Sequence, residues 1–165
     1  MAAEQHPTIY LFTDGAAAGN PGPGGYGVVL MCGGLRKEMS GGFRLTTNNR
    51  MELLAVIKGL EAIKWRGADV QVWSDSSYVV KAITEGWLQK WEAKGFAKVK
   101  NLDLWLRFIP LYRAHHVTFN WLKGHDGNPQ NERCDALAVE ARMAANLPAD
   151  TEYEAQQQTV FNQEN

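Results

Sequence analysis

Thr8-Ile9-Tyr10-Leu11-Phe12-Thr13-Asp14-Gly15 decides how the rest of the chain is read. Five of its first six residues are β-branched or aromatic, the composition of a buried strand, and the run ends on a single carboxylate, Asp14. A charge left unpaired in a core is costly, so an acid placed where apolar sequence gives way to glycine asks for a partner, and a cation is the obvious one. Asp-Gly is also a common turn pair, and the stretch alone leaves both readings open. The remaining acids decide between them.

Downstream, Gly15 to Gly27 is so rich in glycine and proline that it reads as a loop. Gly22, Gly24 and Gly27 match GxGxxG, but that fingerprint must open a helix, whereas Val28-Val29-Leu30-Met31 continues as a strand. A dinucleotide site is therefore excluded. Cys32-Gly33-Gly34 is a hairpin turn into Leu35 to Phe43, which makes the first three strands an antiparallel meander. Thr46-Thr47-Asn48-Asn49 offers capping side chains, and Leu53, Val56, Ile57, Leu60 and Ile63 recur at spacings of three and four, an amphipathic helix to about Lys64. Val70, Val72 and Trp73 form a short strand closing on Ser74-Asp75-Ser76. A strand reached from an earlier one through a helix pairs parallel by a right-handed crossover, so the sheet is mixed and the fold class is α/β, in an α+β arrangement. Ser76 caps a helix to about Glu85, Leu102 to Leu111 forms another, Val117 to Trp121 is the last strand, and Asn131 to about Asn146 a closing helix.

With 45% hydrophobic and 21% charged residues, the 165-residue chain suits one soluble domain, expected over residues 8–147. Residues 1–7 read as a flexible N-terminus. Residues 148–165, with Asp150, Glu152, Glu154, a glutamine run and no basic residue, read as a disordered acidic tail. No stretch approaches the ~20 apolar residues that span a bilayer, and no basic segment precedes a long apolar run, so a cytoplasmic protein is expected, with monomer the default. Cys32 and Cys134, without CxxC spacing, suit free thiols in a reducing compartment better than a disulfide or zinc site. A net charge of −1 excludes a generally sticky polycation, so any positive charge toward nucleic acid must be local. Trp87 to Lys100 is the candidate: Trp87, Trp91 and Phe96 alternate with Lys90, Lys94, Lys98 and Lys100, as on a nucleic-acid surface, although Trp87 and Trp91 at helical spacing also fit a packed face.

Four acids stand apart. Asp14 and Asp75 end strands, Glu52 lies in the first turns of a helix and Asp135 opens the last one. Glu52 and Asp135, each taken singly, could simply complement a helix dipole. Parallel neighbouring strands, however, bring their carboxyl ends to one edge of a sheet, and the helices that follow begin there, so all four can converge. Converged carboxylates repel unless a hard divalent cation sits among them, magnesium before zinc. Two such ions about 3.5–4 Å apart support in-line phosphodiester hydrolysis. His125, on a glycine-flanked loop, is placed either to exchange protons there or as a bystander.

Thr13-Asp14-Gly15, Gly19-Asn20-Pro21-Gly22-Pro23-Gly24, Thr46-Thr47-Asn48-Asn49-Arg50-Met51-Glu52-Leu53, Ser74-Asp75-Ser76, and Lys123-Gly124-His125 with Asn131-Glu132-Arg133-Cys134-Asp135 resemble the bacterial type 1 ribonucleases H, in order from about Thr8 to Ala144. The resemblance implies an RNase H-like fold, a five-stranded mixed sheet flanked by helices. It also implies Mg²⁺- or Mn²⁺-dependent hydrolysis, with two ions per site, of the RNA strand of RNA/DNA hybrids, leaving 5′-phosphate and 3′-hydroxyl ends. Carried onto this chain, it makes Asp14, Glu52, Asp75 and Asp135 the metal-binding catalytic carboxylates, with Asp14 bridging both ions and His125 assisting proton transfer or product release. Asn20, Asn48 and Glu132 match residues that contact substrate near the cut, Thr47 one that contacts DNA phosphate, and Trp87, Lys94 and Lys98 belong to the family's basic protrusion. Two features depart from that pattern: the protrusion is shorter and less basic, with Glu92 and Ala93 where lysines are usual, and Ser77 replaces a common RNA-contacting glutamine.

Overall fold

The computed structural model describes residues 6–123 and 127–164, and its centre is a five-stranded sheet with strand order β3-β2-β1-β4-β5. β1 (Ile9–Ala17), β2 (Gly22–Cys32) and β3 (Leu35–Thr46) form the antiparallel meander, and β4 (Asp69–Ser74) and β5 (His116–Trp121) add in parallel. This is the mixed α/β sheet expected from the sequence.

α1 (Asn48–Glu61) starts where Thr47 Oγ1 accepts the Arg50 N–H, and it buries Leu53, Val56, Ile57 and Leu60 against one face of the sheet. Each such side chain contributes about 1.5–3 kcal/mol through removal from water. α2 (Ser77–Thr84), capped by Ser76, α3 (Trp87–Ala93) and α4 (Leu102–Ala114) complete that layer. The aromatics of the Trp87 segment turn inward: both tryptophans are half-buried, and Trp91 meets the buried Trp105 edge-on at 5.1 Å. For Trp91 the packed-face reading therefore holds. α5 (Pro129–Arg142) covers the opposite face over Phe12 and Val29 with Cys134 and Leu137; Asn128 caps it and Pro129 opens it. Cys32 and Cys134 are unbridged, and among the described residues no helix is long and apolar enough to cross a membrane.

The structure departs from the sequence reading in three places. The stretch from Gly22 to Gly27 is strand, not loop. A Cβ at Gly25 or Gly27 would overlap the carbonyl of Ala138 or Cys134, so these glycines let α5 lie directly on β2. β1 likewise runs three residues past Asp14, held by its antiparallel partner.

The expected disordered tail is the third. Residues 151–164 form α6, and its anchor is buried. Asp150, 7% exposed, accepts from Thr46 Oγ1 at 2.7 Å and receives the Arg50 guanidinium at 2.7 and 2.9 Å, while the same guanidinium grips Asp103 at 2.8 and 2.9 Å. Tyr153 packs beneath Arg50, and Glu154 holds Arg44. Two fork-shaped pairings on one buried arginine fix this helix in place without a large apolar face. Most of the expected flexible N-terminus, residues 1–5, lies outside the described residues; His6, within them, stacks on Trp65 at 4.2 Å.

Candidate active site

The parallel pairing of β1 with β4 ends at Phe12 and Trp73. Asp14 and Asp75 each lie two residues beyond that last pair, so the two carboxylates leave the sheet at the same level. Two glycines bring the others in. At Gly15 a Cβ would stand 2.5 Å from the Glu52 backbone nitrogen, so α1 passes against β1 there and carries Glu52 to Asp14. Gly27, the cross-strand partner of Asp14, lies under the Cys134 carbonyl, which sets Asp135 next to the same site.

Carboxylate oxygens of Asp14, Glu52 and Asp75 lie within 4.8 Å of one another, and Asp135, outside that triad, is close enough to act on the Asp14 carboxyl. All four line one open cleft of about 430 Å³, together with Ala16, Ala17, Asn48, Ser77 and Arg142. Burial, then the Asp75 and Asp135 charges, push the Asp14 carboxyl up to about 8, although the Gly15 N–H at 2.9 Å opposes the shift. Burial and the Asp14 and Asp75 charges also raise Glu52 well above the ordinary carboxylate range. Its Oε2 is buried and, among the described residues, has no hydrogen-bond partner. Hard oxygen donors that resist ionisation together, one of them with an orphaned lone pair, fit a divalent cation.

Asn131 belongs to the motif quoted from the sequence, but sequence reasoning assigned it no role. It is 4% exposed, and its amide donates to the Trp73 carbonyl at 3.2 Å and the Thr13 carbonyl at 3.5 Å, tying β1 and β4 where they part, one turn before Asp135 on α5. The signal that could have found it is its place in the Asn131–Asp135 motif, one turn before an acid. Trp121, half-exposed, donates its indole N–H to the Asp75 carbonyl at 3.3 Å. Arg142, also overlooked, follows Asp135 by seven residues, a spacing that returns a helix to the same face.

The expected substrate residues are dispersed. Asn48 lines the cleft, and its Oδ1 accepts the Ala17 N–H at 2.7 Å; Asn20 Oδ1 accepts the Asn48 N–H at 3.2 Å, so this pair joins the β1–β2 connection to the start of α1. Thr47 caps α1. Glu132 is exposed on α5, Trp87 begins α3, and Lys94 and Lys98 are exposed beyond α3; none of these four is part of the cleft wall. In the same segment Glu92 pairs with Arg113. His125 lies outside the described residues.

The family model for RNase H matches residues 6–143. The chain belongs to the RNase H family. Ribonuclease H of Desulforamulus reducens is 56% identical over 147 residues, 86% of this chain and 92% of that one. Ribonuclease H of Syntrophus aciditrophicus is 53% identical over 157 residues, covering 92% and 90% of the two chains. Among solved structures, LC9-RNase H1, a type 1 RNase H with the type 2 active-site motif, superposes with a TM-score of 0.77 at 31% identity, covering 86% of this chain and 74% of that one. LC11-RNase H1 in complex with RNA/DNA hybrid gives 0.61 at 29% identity over 81% and 96%. This RNase H is accordingly a hydrolase, a nuclease of the family that cleaves the RNA strand of RNA/DNA hybrids, and its acidic cluster is a candidate metal site.

Proposed function

We propose that the chain is an endoribonuclease that hydrolyses the RNA strand of RNA/DNA hybrids at the Asp14–Glu52–Asp75–Asp135 cleft, leaving 5′-phosphate and 3′-hydroxyl ends. The observation that carries this reading is the meeting of four carboxylates in one cleft, with Asp14 and Glu52 pushed toward their neutral forms. Such a cluster costs stability by itself and gains from a cation. The four acids would hold two Mg²⁺ ions, with Mn²⁺ able to substitute and Asp14 shared; when bound, the ions stabilise charge on the attacking and leaving oxygens of an in-line displacement.

The protein's own groups supply the rest. The P–O3′ bond breaks, the oxygen of water ends on phosphorus, and the departing O3′ takes a proton. His125 would relay protons at that step. Asn20 and Asn48 use their carboxamide oxygens within the fold, which leaves their NH₂ groups to a 2′-hydroxyl, the group that distinguishes RNA from DNA. Glu132 would order the substrate near the cut. Thr47, Trp87, Lys94 and Lys98 would hold the DNA strand through phosphate contacts that carry no base sequence. The unbridged thiols suit a reducing compartment such as the cytoplasm, where the enzyme would work as a monomer by default.

Digestion of an end-labelled hybrid, followed by end-group analysis of the products, tests the proposal together with Asp75→Asn. The expected products carry 5′-phosphates, and the variant binds hybrid without cutting it. Products with 3′-phosphates, or full activity in the variant, would overturn the reading.

A further inference from the structure

The cleft is lined by four carboxylates, and the proposed substrate is a polyanion. Even with the centre neutralised by cations, its margins need positive charge to hold the flanking phosphates. Among the described residues lining the cleft, Arg142 alone supplies it.

Most of the other arginines are committed. Of the eight in the sequence, Arg36, Arg44, Arg50, Arg107, Arg113 and Arg133 each hold a carboxylate. Arg66 is exposed, whereas Arg142 is half-buried in the cleft wall, and among the described residues it has no ion pair. Its position is set by α5. Seven residues after Asp135 on the same helical face, it lies about 10 Å further along the axis, where its backbone nitrogen comes against Gly25, the cross-strand partner of Ala16. A strand whose scissile phosphate sits at the acids therefore presents a neighbouring phosphate to Arg142, not the scissile one. The guanidinium fork suits a phosphate's paired oxygens, and a half-desolvated, uncommitted arginine is well prepared to meet one.

Resting on the hybrid-cleaving reading of this cleft, we propose that Arg142 binds an RNA-strand phosphate that flanks the cut, from the side opposite α2. This contact offsets the thin positive charge of the Trp87–Lys100 segment. The plainer role for a basic residue in the last turn of α5 is to complement the helix dipole. The two roles separate experimentally, because only a phosphate contact releases counterions.

The test measures hybrid binding against salt concentration for Arg142→Ala and Arg142→Lys, in full-length protein carrying Asp14→Asn with Mg²⁺ present so that strands stay intact. It also measures kcat and KM for the same substitutions without Asp14→Asn. The expected result for Arg142→Ala is about tenfold weaker binding, a log–log salt slope shallower by about one, and a raised KM with kcat within about twofold. Arg142→Lys should keep the slope. A set of hybrids, each with one neutral methylphosphonate in the RNA strand, should contain a single position near the cut where Arg142→Ala causes no additional loss. An unchanged slope and KM, with or without a fall in thermal stability, would overturn the contact, as would equal losses at every methylphosphonate position. The binding arm stands apart from chemistry: if the unmodified protein cuts no hybrid while the slope still falls by one, the phosphate contact survives and the catalytic reading fails.

Discussion

Replacing Asp14 with asparagine should stabilise the metal-free protein. Asp14 is 4% exposed, and its carboxyl is pushed from 3.8 up to about 8, first by burial and then by Asp75 and Asp135. A carboxyl raised in this way binds its proton more tightly in the folded chain than in the unfolded one. Its contribution is therefore most favourable below about pH 4, and it declines as pH rises through the interval to about 8. Each pH unit in that interval is worth about 1.4 kcal/mol, which sets an upper bound of about 4 kcal/mol at pH 7. The amide keeps the shape and the Gly15 N–H bond but carries no charge. After relaxation of the cluster a gain on the order of 2 kcal/mol is expected for Asp14→Asn at pH 7. Urea unfolding in EDTA at pH 5, 7 and 8 measures it. The advantage of the variant should be small at pH 5 and largest at pH 8, and Mg²⁺ should erase it by stabilising the parent protein. A variant no more stable than the parent at pH 8 would refute the claim that these acids are held together at a cost.

Gly27→Ala should lower stability by about 1–3 kcal/mol and weaken divalent-ion binding, measured by calorimetry, because the new methyl meets the Cys134 carbonyl and lifts α5 with Asp135. Arg50→Met should cost about 3–5 kcal/mol in urea unfolding, since it leaves Asp103 and Asp150 without their shared partner, and it should free α6 to proteolysis between residues 149 and 165. Lys94→Ala combined with Lys98→Ala should raise KM for hybrid and flatten its salt dependence by up to about two while leaving kcat near the parent value, because both lysines lie outside the cleft wall.

How far the sequence could be read depended on the kind of force at each place. β1, α1 and β4 follow from local pattern, since burial of alternate or every third and fourth residue writes a period into the chain. The four acids were legible from the short motifs that carry them, although two sit elsewhere than the sequence reading puts them: Asp14 lies three residues before the end of β1, and Asp135 is the seventh residue of α5 rather than its opening one. Gly22 to Gly27 was misread because its glycines answer to α5, more than a hundred residues away, and composition alone cannot separate a flexible loop from a strand pressed against a helix. The end of the chain was misread for a similar reason. Asp150 and Tyr153 are ordinary tail residues until Arg50 stands against them, and nothing near Arg50 in sequence indicates that its guanidinium is buried. The role of Asn131 could not be read because its partners are backbone carbonyls on two strands, which leave no trace in side-chain pattern.

Incubation of the purified protein with a labelled RNA/DNA hybrid, and with matching RNA and DNA duplexes, in Mg²⁺ and in EDTA, tests the assignment most directly. Cutting confined to the RNA strand of the hybrid and dependent on the metal is the expected result. A hybrid that is bound but left intact in both Mg²⁺ and Mn²⁺ would contradict it and leave the four converged carboxylates without a catalytic purpose.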